Sequence, residues 1–128
     1  MEDARDFAAR ASVSVEAVEL LRASEVIDLH LETYIPPRLW GYDLHANHLG
    51  RFPWGYFFGH LDLPRVHSGG LTGAMWSIAT NITRPGSRRP GIAQVNVEGL
   101  QAALKQDAKV AVVRDRTEYD AARAEGRH

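Results

Sequence analysis

Apolar and polar residues alternate over residues 27–32, which is the pattern of a β-strand with one covered face and predicts a strand over residues 25–31. The alternation places three apolar side chains on one face: Ile27, Leu29 and Leu31. The other face carries three polar side chains: Asp28, His30 and the following residue Glu32. We expect a helix to cover the apolar face, and water, a metal ion or a substrate to meet the polar one.

Two further segments predict strands. Residues 72–82 are largely apolar without clean alternation, which is typical of a strand buried on both faces of a parallel sheet. Residues 109–113 are a shorter strand candidate. Between the first two strands, residues 33–59 are rich in proline, glycine and aromatic residues. They predict a long ordered loop with one short helix near residues 38–45.

Helical spacing of apolar residues, together with cap residues, predicts the remaining elements. The predicted helices run from Ser14 to about Ala23, from Asp62 to Gly69, from about Ala93 to Gln106, and from Thr117 to Gly126. Helices that alternate with apolar strands indicate an α/β architecture with parallel strands. Because two or three strands cannot shield their own edges, we expect the chain to form only part of one domain.

Composition limits the classes of function. The 128 residues are 45% hydrophobic and carry a formal net charge of -1, which gives no electrostatic reason to expect nucleic acid or an anionic membrane as a partner. No run approaches about 20 apolar residues, and residues 1–10 lack the apolar segment of a signal peptide, so we expect no membrane span and a cytoplasmic location. Cysteine is absent, so a metal site would use histidine and carboxylate ligands.

Three motifs resemble those of one enzyme family. Residues 27–32, Ile-Asp-Leu-His-Leu-Glu, look like a first-strand motif Asp-x-His-x-Asp. Residues 60–70, His-Leu-Asp-Leu-Pro-Arg-Val-His-Ser-Gly-Gly, look like Asp-Leu-Pro-(Arg/Lys)-x-x-x-Gly-Gly, and residues 71–80 look like the second strand of the same domain. The chain therefore resembles the membrane dipeptidase (renal dipeptidase) family of zinc-dependent, amidohydrolase-like barrels, especially its soluble bacterial members. The match covers residues 20–128 and about the first third of a family domain.

The resemblance implies a fold, a cofactor and a reaction. The fold is the N-terminal portion of a (β/α)8 TIM barrel, with residues 1–24 as a helical lead-in and residues 25–128 as the first βα units. Family members hold two zinc ions, whose bound water attacks a dipeptide or a related small amide. By resemblance His30 and Glu32 are ligands of the first zinc, and Asp28 is a second-shell neighbour.

Two departures from the family pattern bear on activity. Glu32 stands where the family usually has aspartate, and its extra methylene moves the carboxylate by about 1.5 Å, a large shift for a zinc ligand. The bridging glutamate and two later histidines of the family would lie outside this chain, which we therefore expect to be inactive alone.

The aromatic loop and the other histidines leave more than one interpretation open. The loop either walls a dipeptide pocket, with Tyr34 as its likeliest member, or packs over the barrel mouth or an interface in a homo-oligomer. A second metal cluster from His45, His48 and His60 is conceivable, although packing suits their spacing better. We expect His67 at the surface and Asp62 to act as a helix cap.

The function predicted from sequence is therefore the N-terminal segment of a zinc-dependent dipeptidase. One alternative is a non-catalytic, truncated or diverged relative that acts as a protein-interaction module. Another is a different amidohydrolase that acts on amides or esters.

Overall fold

The computed structural model describes residues 2–57, 59, 61–80 and 85–128, which combine helices with a parallel two-stranded sheet. The strands are β1 (Ile27–Leu31) and β2 (Gly73–Trp76). The helices are α1 (Ala4–Ala11), α2 (Val15–Ala23), α3 (Ile35–Trp40), α4 (Trp54–Phe57), α5 (Leu63–Gly69), α6 (Arg89–Leu104) and α7 (Arg116–Ala124), and a 3₁₀ turn (Gly86–Arg88) precedes α6. The predicted combination of helices with parallel strands is confirmed.

Side-chain caps begin two helices where the sequence predicts them. The Ser14 hydroxyl accepts the N–H of Ala17 at 3.2 Å, and the Asp62 carboxylate accepts the N–H of Arg65 at 3.0 Å. Each cap satisfies an N–H that has no partner inside its helix. At the other end of α5, Gly70 has a φ of +84°, a conformation that glycine adopts without steric cost.

The predicted start of the last helix is wrong by two residues, because Asp115 rather than Thr117 is the cap and Arg116 is the first helical residue. The Asp115 carboxylate accepts the N–H of Glu118 at 2.9 Å, and the Glu118 carboxylate accepts the backbone N–H of Arg114 at 2.8 Å. This reciprocal pair satisfies two donors, and aspartate is a better cap than threonine.

Prolines move the start of two other helices toward the N-terminus. Helix α6 begins at Arg89 and α3 at Ile35, both earlier than predicted, with Pro90 and Pro36 in their first turns. A proline is harmless there, because the N–H that it lacks would have no partner inside the helix. Helix α3 ends before Gly41, whose φ is +67°.

The predicted strand over residues 109–113 is not a member of the sheet. Within the described residues it pairs with His128 instead: the N–H of His128 donates to Lys109 O at 2.7 Å, and the N–H of Ala111 donates to His128 O at 2.8 Å. The predicted strand over residues 72–82 is confirmed only for the four residues of β2, and residues 81 and 82 lie outside the described residues.

The main core lies beneath α6. It is formed by five buried side chains: Tyr42, Leu44, Leu63, Leu100 and Leu104. Tyr34 and Trp76 are half-buried and pack against it, so the segment after β1 and the last residue of β2 are anchored to the core. No helix among the described residues is both long enough and apolar enough to cross a lipid bilayer.

Candidate metal centre

The carboxyl ends of β1 and β2 bring three polar side chains together. His30 is the fourth residue of β1, Glu32 follows that strand, and Ser77 follows β2. The N–H of Ser77 donates to Leu31 O at 2.8 Å, which continues the pairing of the parallel strands by one residue. Carboxyl ends of parallel strands are where α/β folds place ligand sites, so the location suits a functional cluster.

A register shift in β1 lies beside His30. Asp28 pairs with Ala74 and Leu31 pairs with Trp76, so β1 has one more residue than β2 between the paired positions. The strict alternation expected for β1 is therefore wrong at this point, and Leu29, expected on the covered face, is 70% exposed. Shifts of this kind bend a strand and redirect a side chain, and they are common next to functional sites.

The Asp28 carboxylate stabilises the backbone at the shift. Its Oδ1 accepts the backbone N–H of His30 at 2.8 Å. Asp28 therefore contacts the main chain of the predicted ligand rather than its imidazole ring. Such a contact fixes the position from which the His30 side chain leaves the strand.

The His30 and Glu32 side chains face each other at the surface. Nε2 of His30 lies 3.4 Å from Oε1 of Glu32, and the two side chains are 74% and 53% exposed. This distance exceeds the range of about 2.7–3.2 Å of good N–H···O hydrogen bonds. A direct hydrogen bond therefore holds the two groups only weakly, and both remain accessible from solution.

The pair fits two positions of a zinc site. Two zinc ligands, each about 2.0–2.2 Å from the ion in a tetrahedral arrangement, are about 3.4 Å apart. The measured separation of Nε2 and Oε1 is 3.4 Å. The fit is partial, because among the described residues no group of three or more histidine, aspartate or glutamate side chains is arranged to hold a metal ion.

Tyr34 contacts the core and α6. Its ring packs against the core, and its hydroxyl lies so close to Gly99 of α6 that a Cβ at that position would overlap it. The predicted role of Tyr34 in a substrate pocket stays a prediction, and the contacts described for it are with the core and α6.

Asp62 lies at the centre of a buried hydrogen-bond network. The sequence predicts only its role as a helix cap. The carboxylate is completely buried and accepts three N–H groups, from the backbone of His48 at 2.9 Å, the backbone of Arg65 at 3.0 Å and Nε of Arg65 at 2.8 Å. Nη2 of Arg65 continues to Gly59 O at 2.6 Å and to the Tyr42 hydroxyl at 3.2 Å. The network anchors the long loop to α5.

Tyr42 and His48 complete the buried side of this loop. Their rings are stacked at 4.1 Å, and burial raises the pKa of the Tyr42 hydroxyl. The predicted packing of His48 is therefore confirmed. His60, which the sequence groups with it as a conceivable second metal cluster, lies outside the described residues. The sequence signal for the network is the Asp-x-x-Arg spacing of Asp62 and Arg65, which places both on the first turn of α5.

His67 is not at the surface, so that prediction is wrong. Its Nε2 lies 2.7 Å from Oδ2 of Asp107, with side-chain exposures of 16% and 18%. Burial alone would raise the pKa of Asp107, but hydrogen bonds from His67 and from the backbone of Lys109 outweigh it and lower that pKa. The partner is 40 residues away in sequence, so the helical pattern of α5 could not identify it.

His128 packs on the same pair. Its ring centroid lies 4.9 Å from that of His67, and its Nδ1 donates to Leu71 O at 2.7 Å. Burial lowers the pKa of His128, against the opposing effect of this hydrogen bond. These contacts join His128, which follows α7, to α5 and to Leu71, two residues before β2, at the end of the sheet opposite to His30.

No protein-family model, curated protein or solved structure matches this chain. The resemblance to membrane dipeptidases therefore depends on the three sequence motifs.

Proposed function

We propose that this chain is the N-terminal portion of a zinc-dependent dipeptidase with a (β/α)8 barrel, in which His30 and Glu32 are two of the zinc ligands. The observation that carries the proposal is that their ligating atoms lie 3.4 Å apart on two side chains that are 74% and 53% exposed, at the carboxyl end of a parallel strand pair. A neutral imidazole and a carboxylate are common zinc ligands, and their exposure leaves room for an ion and a substrate.

The chemistry assigned to this chain is limited to binding and orientation. A zinc ion in such a site acidifies a water molecule and polarises the carbonyl of the scissile amide. His30 and Glu32 would hold the ion, and Asp28 would fix the backbone of His30. By resemblance, the remaining ligands would come from residues outside this chain, and the substrate would be a dipeptide or a related small amide. The sequence pattern, rather than the resemblance, is the basis for placing the enzyme in the cytoplasm.

The register shift in β1 offers a reason why glutamate can serve at position 32. An extra residue in the strand changes where the following side chains begin, and a longer side chain can then reach the imidazole of its neighbour. We expect Glu32→Asp to weaken zinc binding, because it withdraws the carboxylate by about 1.5 Å from a geometry that already fits.

The test uses the longest natural product of the gene that encodes this chain. We expect stoichiometric zinc near two ions per chain and hydrolysis of dipeptides, both lost or sharply reduced in His30→Ala and Glu32→Gln. Glu19→Gln, at an exposed helical position, is the matched control and should leave both unchanged. Full zinc content and turnover in His30→Ala would contradict the proposal, and so would a folded wild-type product without zinc.

The alternative of another amidohydrolase uses the same metal ligands and differs in substrate. Comparison of dipeptides with simple amides and esters on the same zinc-loaded product distinguishes the two. Turnover of amides or esters without turnover of dipeptides would favour this alternative.

One observation favours the non-catalytic alternative. An apolar groove with a volume of about 1010 Å³ lies between β2, α6 and residues 110–113, and neither His30 nor Glu32 lines it. Such a groove can bind another protein surface, including a second copy of this chain. A product without zinc that self-associates, and that becomes monomeric when the groove residue Met75 is replaced by glutamate, would favour an interaction module.

A further inference from the structure

The His30 ring has a second polar contact, on the side away from Glu32. Its Nδ1 lies 3.2 Å from the hydroxyl oxygen of Ser77, within hydrogen-bond distance. The ring is therefore placed between a hydroxyl on Nδ1 and a carboxylate on Nε2.

Ser77 occupies a well-fixed position. Its own N–H donates to Leu31 O at 2.8 Å. Two residues later, Ala79 O accepts Nη1 of Arg38 at 2.6 Å and the side-chain amide of Asn96 at 3.4 Å. The backbone of the segment that carries Ser77 is thus held to β1, α3 and α6, which fixes the point from which the Ser77 side chain leaves the main chain.

A carboxylate accepts hydrogen bonds but cannot donate one, whereas a hydroxyl does both. Without a cation, Nε2 can carry the proton toward Glu32, and Nδ1 is then an acceptor for the Ser77 hydroxyl. When Nε2 binds a cation, the proton must reside on Nδ1, which then donates to the Ser77 oxygen. Ser77 can satisfy the ring in both states by rotation of its hydroxyl.

We propose that Ser77 is the positioning residue of this metal centre, which holds the His30 ring with Nε2 toward Glu32 both before and after a cation binds. The inference rests on the proposed function, because it assigns the partner that orients one of the proposed ligands. Hydrogen bonds to the second nitrogen of a metal-binding histidine fix the ring and increase its basicity.

The test follows the His30 ring in the full chain by ¹⁵N-resolved NMR during a zinc titration. Replacement of such a partner typically lowers metal affinity by about 10–100-fold, and the high exposure of His30 places the expectation for Ser77→Ala near tenfold. In the zinc-bound protein, the Nδ1–H signal of His30 should be visible and protected from exchange in the wild type, but not in Ser77→Ala. Ser77→Thr retains the hydroxyl and should restore both properties.

Ser68→Ala is the matched control, since the Ser68 hydroxyl donates to a backbone carbonyl on an exposed part of α5. It should leave the His30 signals and the zinc affinity unchanged. Equal zinc affinity and equal Nδ1–H protection in the wild type and Ser77→Ala would overturn the inference while leaving the proposed function intact.

Spectra of the metal-free protein distinguish a failure of the inference about Ser77 from a failure of the proposed function. The Nδ1 resonance of His30 should differ between the wild type and Ser77→Ala, because a hydrogen bond to that nitrogen is lost. An identical resonance would overturn the inference. A wild-type chain whose His30 signals ignore zinc would overturn the proposed function and the cation-bound half of the inference, and the metal-free comparison would still decide the other half.

Discussion

Two histidine–carboxylate pairs in this protein have nearly the same separation and opposite surroundings. Nε2 of His30 lies 3.4 Å from Glu32, and Nδ1 of His48 lies 3.5 Å from Asp62. The first pair is 74% and 53% exposed, whereas the second is 9% and 0% exposed. Separation alone therefore does not distinguish a candidate metal site from a structural contact.

The partners of the carboxylate make the distinction. Asp62 accepts three N–H groups, and these neutralise its charge inside the protein. Glu32 accepts no backbone N–H among the described residues, so its oxygens remain available to a cation. A carboxylate that is saturated with hydrogen bonds organises a loop, and one that is left open can bind.

The pair of His67 and Asp107 lies between these extremes. It is mostly buried, its separation of 2.7 Å is that of a strong hydrogen bond, and its carboxylate also accepts the N–H of Lys109 at 2.9 Å. By the same criterion this pair is structural.

The largest expected effect comes from Asp62→Asn. The substitution keeps the size of the side chain but removes the charge that compensates Arg65, so we expect a loss of about 3 kcal/mol in the free energy of unfolding. The midpoint of thermal unfolding should fall by roughly 10 °C. Glu32→Gln, the same change at the exposed pair, should alter stability by no more than about 0.5 kcal/mol. Equal effects of the two substitutions would contradict the comparison.

Gly99→Ala tests whether Tyr34 belongs to the buried part of the molecule. The new Cβ would overlap the Tyr34 hydroxyl, and we expect a destabilisation of about 2 kcal/mol in chemical denaturation. In a Tyr34→Phe background the overlap disappears, and the same substitution should stabilise α6 by up to about 1 kcal/mol. Destabilisation of similar size in both backgrounds would show that the hydroxyl is elsewhere.

Asp107→Asn tests the intermediate pair through its pH dependence. Because folding lowers the pKa of Asp107, its contribution to stability is present above the ordinary value of 3.8 and is lost as the pH falls through the folded value. We expect a loss of about 1.5 kcal/mol at neutral pH and a weaker acid dependence below about pH 4. The free energy of unfolding can be measured by urea unfolding at a series of pH values. If its decrease at acidic pH were the same in the wild type and in Asp107→Asn, the result would contradict the stabilising role of Asp107.

The smallest expected effect concerns the start of α7. Asp115→Ala removes the cap and should cost about 1 kcal/mol in urea unfolding, whereas Thr117→Ala, at the predicted cap, should be close to neutral. A larger loss of stability in Thr117→Ala than in Asp115→Ala would show that the helix begins at the cap predicted from sequence.

Elements that depend on neighbouring residues could be predicted from the sequence. Local spacing predicts the caps at Ser14 and Asp62 and the central residues of β1. It also predicts that His30 and Glu32 lie close together. The register shift could not be predicted, because it depends on how β1 pairs with a strand more than 40 residues away. Ser77 was missed as a partner of His30 for the same reason.

The buried carboxylates show the same limit. The sequence identifies Asp62 as a cap because the N–H that donates to it is three residues away, but its contact with His48 spans 14 residues. The contact between His67 and Asp107 spans 40 residues, and a short helical pattern carries no information about it.

The central claim is that the open pair binds a cation and the saturated pair does not. We would measure histidine ring signals of the longest natural product of the gene by ¹⁵N-resolved NMR during a zinc titration. The account predicts that the His30 signals shift first, that His48 stays unchanged, and that Glu32→Gln removes the response. A response at His48 with none at His30, or no response at either residue, would contradict it.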